Sequence, residues 1–367
     1  MRLYDALMSM EIIQLDSALQ EAVYRRRHVK ADERELFLYG YSRPEGSALP
    51  EPEGARIYGG ELRKHPLRQD WSIYAAARQN RTYKPSAAND PLAPSTAGKP
   101  VTEIPFETFE LAVFDNRFPG MHPETPPPDS EISLLKKNKA SGKCEVIVYA
   151  PEQTGSLATL SQSQRLLLVQ AWIDRYAAHF SAGQKFVLPF ENRGDEVGVT
   201  LYHPHGQIYA FPFIPAVQQK AVDAFEAGYD LAIGMQDWAE DYTISSQGGI
   251  TAFAPPFARY PYEVWLAPVE RQPGPWTFSA EQLEGFAALL GDVTRRYDSF
   301  FGRTCPYMLS LQAAPAGHDK SFHFTAQFYP ILRSQDRLKY FACVEHATNV
   351  FTVDVMPEET ARVLRVL

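Results

Sequence analysis

The segment from 199 to 215, VTLYHPHGQIYAFPFIP, contains the side chains best suited to chemistry, including two of the nine histidines of the chain. Alternate residues of a strand share a face, so His203, His205 and Gln207 are expected to project together. A neutral imidazole can attack phosphorus and form a phosphoramidate intermediate. A hydrogen bond from its other ring nitrogen to a backbone carbonyl would fix the reactive tautomer, and the Gln207 amide can donate to a phosphate oxygen. The segment therefore predicts a phosphate cradle with a histidine nucleophile.

The residues around and within this segment also predict its backbone structure. The preceding stretches KFVLPFEN and RGDEVG read as a strand and a turn, which predicts an antiparallel strand pair. Pro204 cannot donate to a sheet ladder, so we expect the strand to lie at an edge or to leave the ladder there. Gly206 allows another group to approach the backbone closely.

Composition narrows the class of protein. The net charge of −8 over 367 residues argues against a nucleic-acid partner, which would favour a basic chain. An odd number of cysteines, three in all and widely spaced, favours a reducing cytoplasm over a disulfide framework. The N-terminal segment lacks the pattern of a signal peptide, and no apolar run is long enough to span a bilayer. We therefore expect a cytoplasmic protein without a membrane segment.

A weak internal repeat predicts a duplicated architecture. One copy begins at Cys144 and the other at Tyr262, and both read as a strand, an Ala-Pro pair and a helix opened by Ser-x-x-Gln. The serine and glutamine of each copy form a candidate capping box, Ser161 with Gln164 and Ser279 with Gln282. In this repeat the position equivalent to His205 is Thr325, so one half keeps the histidine and the other does not.

Turn-rich stretches suggest the limits of three units. Residues 1–55 are expected to form a partly helical N-terminal extension and linker, since they end in SRPEGSALPEPEGA. Residues 56–216 form the half with the nucleophile, and residues 217–367 form the half without it.

The motif HPHGQ at 203–207 resembles the active-site motif of the galactose-1-phosphate uridylyltransferase family, a branch of the histidine-triad superfamily. Weaker supporting stretches follow in the expected order from about residue 55, among them LAVFDNRFPG, FENRGDEVG and FYPILRS. The resemblance implies a duplicated α+β fold, with mainly antiparallel sheets flanked by helices, in a homodimer. It also implies ping-pong transfer of UMP from UDP-glucose to galactose 1-phosphate through a uridylyl-histidine.

The resemblance assigns roles to individual positions. His205 would be the nucleophile, oriented by the carbonyl of His203, with Gln207 and Thr200 on the transferring phosphoryl group. The remaining candidates contact substrate: Arg78 and Arg81 the phosphates, Phe114, Asn116, Phe118 and Asn192 the uridine, and Lys339 and Glu345 the hexose from the partner subunit. Each has an ordinary alternative, namely surface arginines at 78 and 81, turn residues at 116 and 192, and a solvated ion pair at 339 and 345.

Two metal sites of some family members are altered here. The zinc ligand positions correspond to Asp90, Ala93, Gln153 and His203, so only one histidine remains. We expect no metal to be required, and any residual zinc would lie near Asp90 and His203. A second site, rich in histidine in some members, corresponds to a set without histidine: Ala221, Gln312, Thr325 and Gln327.

Two other functions remain open at this point. A nucleotide phosphorylase of the same superfamily, acting on a dinucleoside polyphosphate or a nucleotide sugar, would use the same histidine chemistry with phosphate as acceptor. A non-catalytic nucleotide-binding module would bind nucleotide without a covalent adduct. Products formed from UDP-glucose and from adenine dinucleotides would separate these hypotheses.

Overall fold

The computed structural model describes residues 12–80 and 84–367. Its strands are β1 (Ile12–Gln14), β2 (Tyr24–Val29), β3 (Glu35–Gly40), β4 (Glu61–Lys64), β5 (Trp71–Tyr74), β6 (Leu111–Asp115), β7 (Lys137–Lys139), β8 (Lys143–Val148), β9 (Phe186–Arg193), β10 (His205–Phe211), β11 (Thr243–Gln247), β12 (Ile250–Phe253), β13 (Val264–Pro268), β14 (Tyr307–Gln312), β15 (Thr325–Pro330), β16 (Leu332–Ser334) and β17 (Arg337–Leu338). Its α-helices are α1 (Gln162–Ser181), α2 (Ala216–Glu226), α3 (Leu231–Asp237), α4 (Ala239–Tyr242), α5 (Ala280–Phe301), α6 (Cys343–Thr348) and α7 (Pro357–Arg365).

A sheet of 12 strands organises the molecule, in the order β1-β2-β3-β6-β8-β10-β9-β14-β15-β13-β12-β11. Neighbouring strands in it pair antiparallel. Outward from the central β9–β14 pair, β10, β8, β6 and β3 on one side correspond to β15, β13, β12 and β11 on the other. In both halves a long helix, α1 or α5, connects the second of these strands to the central one. This arrangement confirms the predicted duplicated α+β fold with helices flanking mainly antiparallel sheets.

The two long helices are capped differently, although their sequences are similar. At α5 the Ser279 hydroxyl accepts the Gln282 amide proton and the Gln282 side chain accepts that of Ser279, so the predicted capping box is complete. At α1 the Ser161 hydroxyl accepts the Gln164 amide proton. The Gln164 side chain, however, donates to the backbone carbonyls of Glu110 and Tyr149, which flank strands of the main sheet. Gln164 therefore ties α1 to the sheet rather than closing a capping box.

The helices cover the sheet with apolar stripes. In α5 the stripe is fully buried, and it consists of Phe286, Leu289, Leu290, Val293 and Tyr297. Helix α1 packs against α5, and the Arg165 guanidinium donates to the Ala287 carbonyl across the contact. A Cβ atom at Gly291 would lie 2.7 Å from the Arg165 guanidinium carbon, so glycine at 291 is what lets the helices approach there.

The prediction of a partly helical N-terminal extension is wrong for the described residues. Between 12 and 55 the chain forms β1, β2 and β3, which extend the main sheet beyond β6. Arg27 of β2 pairs with Glu35 of β3 at 2.9 Å, whereas Arg25 of β2 donates to Asp174 of α1. The run of charged residues in β2 interrupts the alternation of apolar residues that marks a strand, so the sequence pattern does not reveal this strand. The unit limits at 55 and 216 stay predictions.

The strand pair predicted around the histidines is present. β9 and β10 pair antiparallel, with Gln207 opposite Phe190. β10 is a central strand, so the edge alternative for Pro204 is wrong; the chain instead joins the ladder at His205. Among residues 12–80 and 84–367, no helix is both long and apolar enough to cross a membrane.

Candidate active site

His205 is the first residue of β10 and pairs with Val148 of β8. On the other side of β10, pairing with β9 begins only at Gln207, so the backbone of His205 is held by β8 alone. A Cβ atom at Gly206 would lie 2.6 Å from the Tyr149 hydroxyl oxygen and 2.9 Å from the Phe190 carbonyl oxygen. These contacts leave room only for glycine, so the predicted close approach is made by the protein itself.

The backbone two residues earlier orients the His205 ring. Its Nδ1 lies 2.7 Å from the carbonyl oxygen of His203. A carbonyl can only accept, so Nδ1 carries the proton and Nε2 carries the lone pair. Burial lowers the pKa of His205 below its ordinary value of 6.5, which keeps the ring neutral at pH 7. The ring is thus held in the tautomer that a nucleophile requires.

The His203 side chain lies apart from the predicted cradle. It is buried, with Nδ1 2.7 Å from Asp90 Oδ2 and Nε2 2.7 Å from the carbonyl oxygen of Ala150. The expectation that this ring projects beside His205 and Gln207 is wrong, because residue 203 precedes the strand and strand alternation does not apply to it. The backbone carbonyl of His203, rather than its ring, is the group next to His205.

Two cavities, of about 110 Å³ and 180 Å³, lie beside His205. Both are lined by the same four predicted site residues: Arg78, Thr200, His205 and Gln207. The smaller cavity is also lined by three residues predicted to surround uridine: Phe114, Asn116 and Phe118. Asn192 lines the larger cavity instead, so the structure separates it from the other three.

Arg78 brings a fixed positive charge to both cavities. Its Nη1 donates to the Phe118 carbonyl at 3.2 Å and to the Tyr209 hydroxyl at 3.1 Å. The guanidinium is therefore anchored by the protein rather than free in solvent, which favours the phosphate role over the surface alternative. Arg81, its predicted companion, lies outside the described residues.

Asn116 makes a turn contact and also lines the smaller cavity. Its side-chain oxygen accepts the Phe118 amide proton at 2.9 Å, which is the turn contact that the ordinary alternative requires. The same residue lines the smaller cavity between Phe114 and Phe118. The turn holds Asn116 at the cavity wall, so a structural function and a binding function are compatible here.

Comparison with known proteins identifies the family. Residues 52–215 match the model of the N-terminal domain of galactose-1-phosphate uridyl transferase. A galactose-1-phosphate uridylyltransferase of Thermotoga maritima is 35% identical to this chain over 318 residues, which cover 83% of this chain and 98% of the relative. The chain belongs to the galactose-1-phosphate uridylyltransferase family.

Other relatives agree with this family. A galactose-1-phosphate uridylyltransferase of Streptomyces lividans is 30% identical, covering 91% of this chain and 95% of its own. A solved structure of a uridylyltransferase superposes with a TM-score of 0.75 at 25% identity, covering 83% of this chain and 97% of its own. An ADP-glucose phosphorylase from Arabidopsis thaliana, solved with bound ADP-glucose, shares the fold with a TM-score of 0.62 at 18% identity, covering 83% of this chain and 98% of its own.

Lys339 and Glu345, the two predicted hexose contacts, bind each other. Both are buried, and Lys339 Nζ donates to a Glu345 carboxylate oxygen. The Ala342 and Thr352 amides donate to the same carboxylate. The hydrogen bonds from Lys339 and these amides lower the pKa of Glu345 to about 2. The solvated-pair alternative is wrong, while contact with a hexose across a dimer stays a prediction.

The residues at the predicted zinc positions form a donor set that is poorly suited to zinc. Asp90, Ala93 and Gln153 line a cavity of about 650 Å³, and Asp90 is bonded to His203. Both ring nitrogens of His203 already face oxygen acceptors, and alanine and glutamine replace two other ligands. This donor set does not fit the tetrahedral cysteine and histidine coordination that structural zinc prefers. The chain's independence from metal stays a prediction.

Some residues that line the two cavities beside His205 were not predicted from the sequence. Tyr209 accepts a hydrogen bond from Arg78 and lines the larger cavity. The sequence could have indicated Tyr209, because it lies two residues after Gln207 and so shares a face of the strand with it. Burial raises the pKa of Tyr209 to about 12, so its hydroxyl stays protonated at neutral pH. Arg117 and Glu103 also line the smaller cavity, and no local pattern marked them.

Proposed function

We propose that this enzyme transfers UMP from UDP-glucose to galactose 1-phosphate in two steps, through a uridylyl group on His205. Membership of the galactose-1-phosphate uridylyltransferase family supports the overall reaction. The observation that carries the mechanism is the 2.7 Å contact from His205 Nδ1 to the His203 carbonyl, which leaves the lone pair on Nε2. Without that contact either tautomer would be available.

In the first step the lone pair of His205 Nε2 attacks the α-phosphorus of UDP-glucose. The P–N bond forms as the bond from that phosphorus to the bridging oxygen breaks, and glucose 1-phosphate departs with the electron pair. A sugar phosphate has a second pKa near 6, so it leaves without a proton at neutral pH. This suits Gln207, since an amide cannot act as a general acid.

In the second step a phosphate oxygen of galactose 1-phosphate attacks the uridylyl phosphorus. The P–N bond breaks, Nε2 regains its lone pair, and UDP-galactose departs. Between the steps the uridylylated ring carries positive charge while its Nδ1–H stays on the His203 carbonyl. The carbonyl dipole stabilises that charge, so one contact serves both half-reactions.

Three side chains around His205 are placed to act on the phosphates. Arg78, anchored by Tyr209 and Phe118, supplies a preorganised positive charge. Gln207 shares both cavities with His205, and so does Thr200, so each can donate to a phosphoryl oxygen. Preorganised donors in a partly enclosed site stabilise developing charge better than mobile water does.

The uridine is assigned to the smaller cavity. Phe114 and Phe118 provide aromatic surface there, and Asn116 provides an amide held by its turn. Asn192, in the other cavity, is then placed nearer the sugar phosphates than the base. This arrangement would put the α-phosphorus beside His205, where the two cavities share their lining.

The assembly we propose is a homodimer. The segment around the Lys339–Glu345 pair exposes four apolar side chains, Tyr340, Phe341, Val344 and Val350. Exposed apolar side chains grouped in one short segment favour a partner surface. A partner seated there would cover these side chains and bring Lys339 and Glu345 towards the hexose of the neighbouring site.

The cytoplasm is the compartment we propose. All three cysteines are free thiols, with Cys144 and Cys305 buried and Cys343 exposed. An exposed free thiol is better preserved in a reducing compartment than in an oxidising one. No metal is included in the proposed chemistry, because Arg78, Gln207 and the backbone supply the charge stabilisation.

Intact-mass measurement of the purified chain with UDP-glucose tests the proposal. We expect a mass increase of one UMP together with stoichiometric release of glucose 1-phosphate, and loss of the added mass when galactose 1-phosphate follows. Parallel reactions with phosphate as acceptor, and with adenine dinucleotides as donors, test the phosphorylase alternative. Bound UDP-glucose without an adduct would refute the covalent mechanism and favour the non-catalytic alternative.

A further inference from the structure

The second half of the fold contains a cavity at the place equivalent to the active site. This β15 cavity has a volume of about 470 Å³ and is lined by residues from β13, β14 and β15 and from α2 and α3. The altered positions of the family's second metal site, Ala221, Gln312, Thr325 and Gln327, all lie in its lining. An alanine, a hydroxyl and two neutral amides do not fit a metal, so the cavity needs another explanation.

Residues of the two sites correspond one to one. Thr325 follows His205 by 120 positions, and the same interval relates the other lining residues of β14 and β15 to the active site. The pairs are Asn192 with Gln312, His203 with His323, Gln207 with Gln327, and Tyr209 with Tyr329. Strand register agrees, because Gln207 pairs with Phe190 and Gln327 pairs with Ser310, which is again 120 positions later. HPHGQ therefore has a degenerate counterpart, HFTAQ.

The histidine that orients the active site is also repeated, but its surroundings differ. His323 is buried, and its Nε2 donates to the Pro268 carbonyl at 2.8 Å, as His203 donates to Ala150. The Nδ1 of His323 is then an acceptor, and it has no hydrogen-bond partner in the part of the chain that the structure describes. A buried unpaired acceptor is unfavourable, so a bound group with a donor would be stabilising at this cavity.

Polar groups on the strands of the β15 cavity are neutral. The Gln312 amide donates to Ser310 and accepts from Gln218, and the Gln327 amide donates to Thr325 and accepts from Tyr329. Each amide has two N–H groups and two lone pairs, so each retains one donor and one acceptor after these contacts. Paired donors and acceptors of this kind match the edge of a nucleobase.

The walls of the cavity are aromatic and its charges balance. Trp265 and Phe257 pack edge to face at 5.2 Å, and Phe225 packs on Phe322 at 5.0 Å on the helix side. One arginine and one carboxylate line the cavity, and the Glu263 carboxylate is occupied by the backbone amides of residues 259 and 260 and by Trp265. A polyphosphate would lack counter-charges here, whereas an uncharged planar ligand needs none.

We propose that the β15 cavity binds a neutral nucleoside without covalent chemistry, with the base between the aromatic walls and its edge on the Gln312 and Gln327 amides. Thr325 stands where the other half has its nucleophile, and a hydroxyl without a neighbouring base does not attack phosphorus. The choice of a nucleoside over other planar neutral ligands rests on the proposed nucleotide chemistry of the equivalent site. Binding at this cavity would be regulatory or structural.

Equilibrium dialysis of the full chain with labelled uridine, cytidine, adenosine and guanosine tests this proposal. The matched variants are Gln327→Leu and Gln207→Leu, which remove the same amide from the two equivalent sites. We expect one nucleoside to bind the wild-type and Gln207→Leu chains with equal affinity at the β15 cavity, and to bind the Gln327→Leu chain at least tenfold more weakly there. UMP transfer should persist in the Gln327→Leu chain.

A second variant, Ala221→Trp, fills the cavity from α2 and keeps the test decisive if Gln327→Leu does not fold. Equal nucleoside affinity in the wild-type, Gln327→Leu and Ala221→Trp chains would overturn the proposal, as would the absence of binding to the Gln207→Leu chain at millimolar concentrations. Binding is measured without turnover, so it fails separately from the transferase activity, which is assayed on the same preparations.

Discussion

The carbonyl oxygen of His203 lies 2.7 Å from Nδ1 of His205, while the His203 ring is bonded to Asp90 and Ala150. The two histidines therefore act in series rather than side by side. Fixing the first ring fixes its backbone carbonyl, and the carbonyl fixes the tautomer of the second ring. The active site depends in this way on a buried contact that no substrate touches.

Replacing His205 with alanine should abolish transfer and leave the fold intact. The ring supplies the lone pair that attacks phosphorus, and no other described residue holds a comparable nucleophile in the same cavities. We expect the exchange of label between UDP-glucose and glucose 1-phosphate to fall by about a thousandfold or more. Thermal unfolding of the variant within a few degrees of wild type is the control, and substantial residual exchange would contradict the assignment.

The first half-reaction should depend on pH through His205. Burial places the pKa of this ring below 6.5, and only the neutral ring can attack. The rate should thus be level near neutral pH and fall about tenfold per pH unit once the pH is below the lowered pKa. The measurement is the burst of glucose 1-phosphate from UDP-glucose alone, because galactose 1-phosphate titrates near pH 6 and would obscure the result. A midpoint above 6.5 would contradict the buried neutral ring.

Gly206→Ala should both destabilise the fold and slow uridylylation. The added methyl would lie 2.6 Å from the Tyr149 hydroxyl oxygen, which is itself bonded to Glu191, and 2.9 Å from a carbonyl of β9. Overpacking of this kind costs about 1–3 kcal/mol, and the displaced backbone carries His205. Gly120→Ala is the matched control, since a Cβ atom there would have its nearest neighbour at 3.6 Å. Equal melting temperatures for the two variants would contradict this prediction.

The sequence predicts the starts of the two long helices but not the tertiary partners of their side chains. Capping signals are local, so Ser161 and Ser279 marked both helix starts correctly. The destination of the Gln164 side chain was not predictable, because it depends on carbonyls at 110 and 149 that only the tertiary fold brings near. The His203 ring was misplaced for a similar reason, since its partners lie 113 and 53 residues away in sequence.

The family resemblance groups residues that are distant in sequence, which local sequence patterns cannot do. It grouped residues as distant as Arg78, Phe114 and Gln207, and the structure brings them to the same cavity. It also grouped Ala221 with three residues of β14 and β15, which line one cavity although they hold no metal ligands. Asn192 shows the limit of the resemblance: it groups Asn192 with Phe114, Asn116 and Phe118, but the geometry of β9 places Asn192 in the other cavity.

Mixed dimers should recover activity if Glu345 serves the neighbouring site. His205→Ala and Glu345→Gln chains would each be inactive alone, but a mixed dimer would contain one site with both groups intact. With random pairing of equal amounts, roughly a quarter of the sites should work. The measurement is transfer activity after mixing under conditions that exchange subunits, with each variant alone as control. No recovery from mixed dimers verified by native mass spectrometry of differently tagged chains would contradict a shared site.

The contact between Asp90 and His203 lies at the predicted zinc position. Asp90 and His203 are both largely buried, and the contact between His203 Nδ1 and the Asp90 carboxylate joins the loop before β6 to the residues before β10. Asp90→Ala would leave a buried ring nitrogen without its partner, so we expect a loss of about 1–3 kcal/mol of stability. Asp195→Ala is the control, because its pair with Lys84 is partly exposed and should contribute less than about 1 kcal/mol.

If this contact replaces the metal, exhaustive chelation should change neither activity nor melting temperature. The donor set at Asp90, Ala93, Gln153 and His203 predicts that result, since hydrogen bonds already use both nitrogens of the one histidine. Elemental analysis before and after chelation, with transfer assays on both samples, checks it. About one tightly held zinc per chain, with activity lost on its removal, would show that ligands lie elsewhere, for example at His122 or His318. In that case Asp90→Ala should also leave the metal content unchanged.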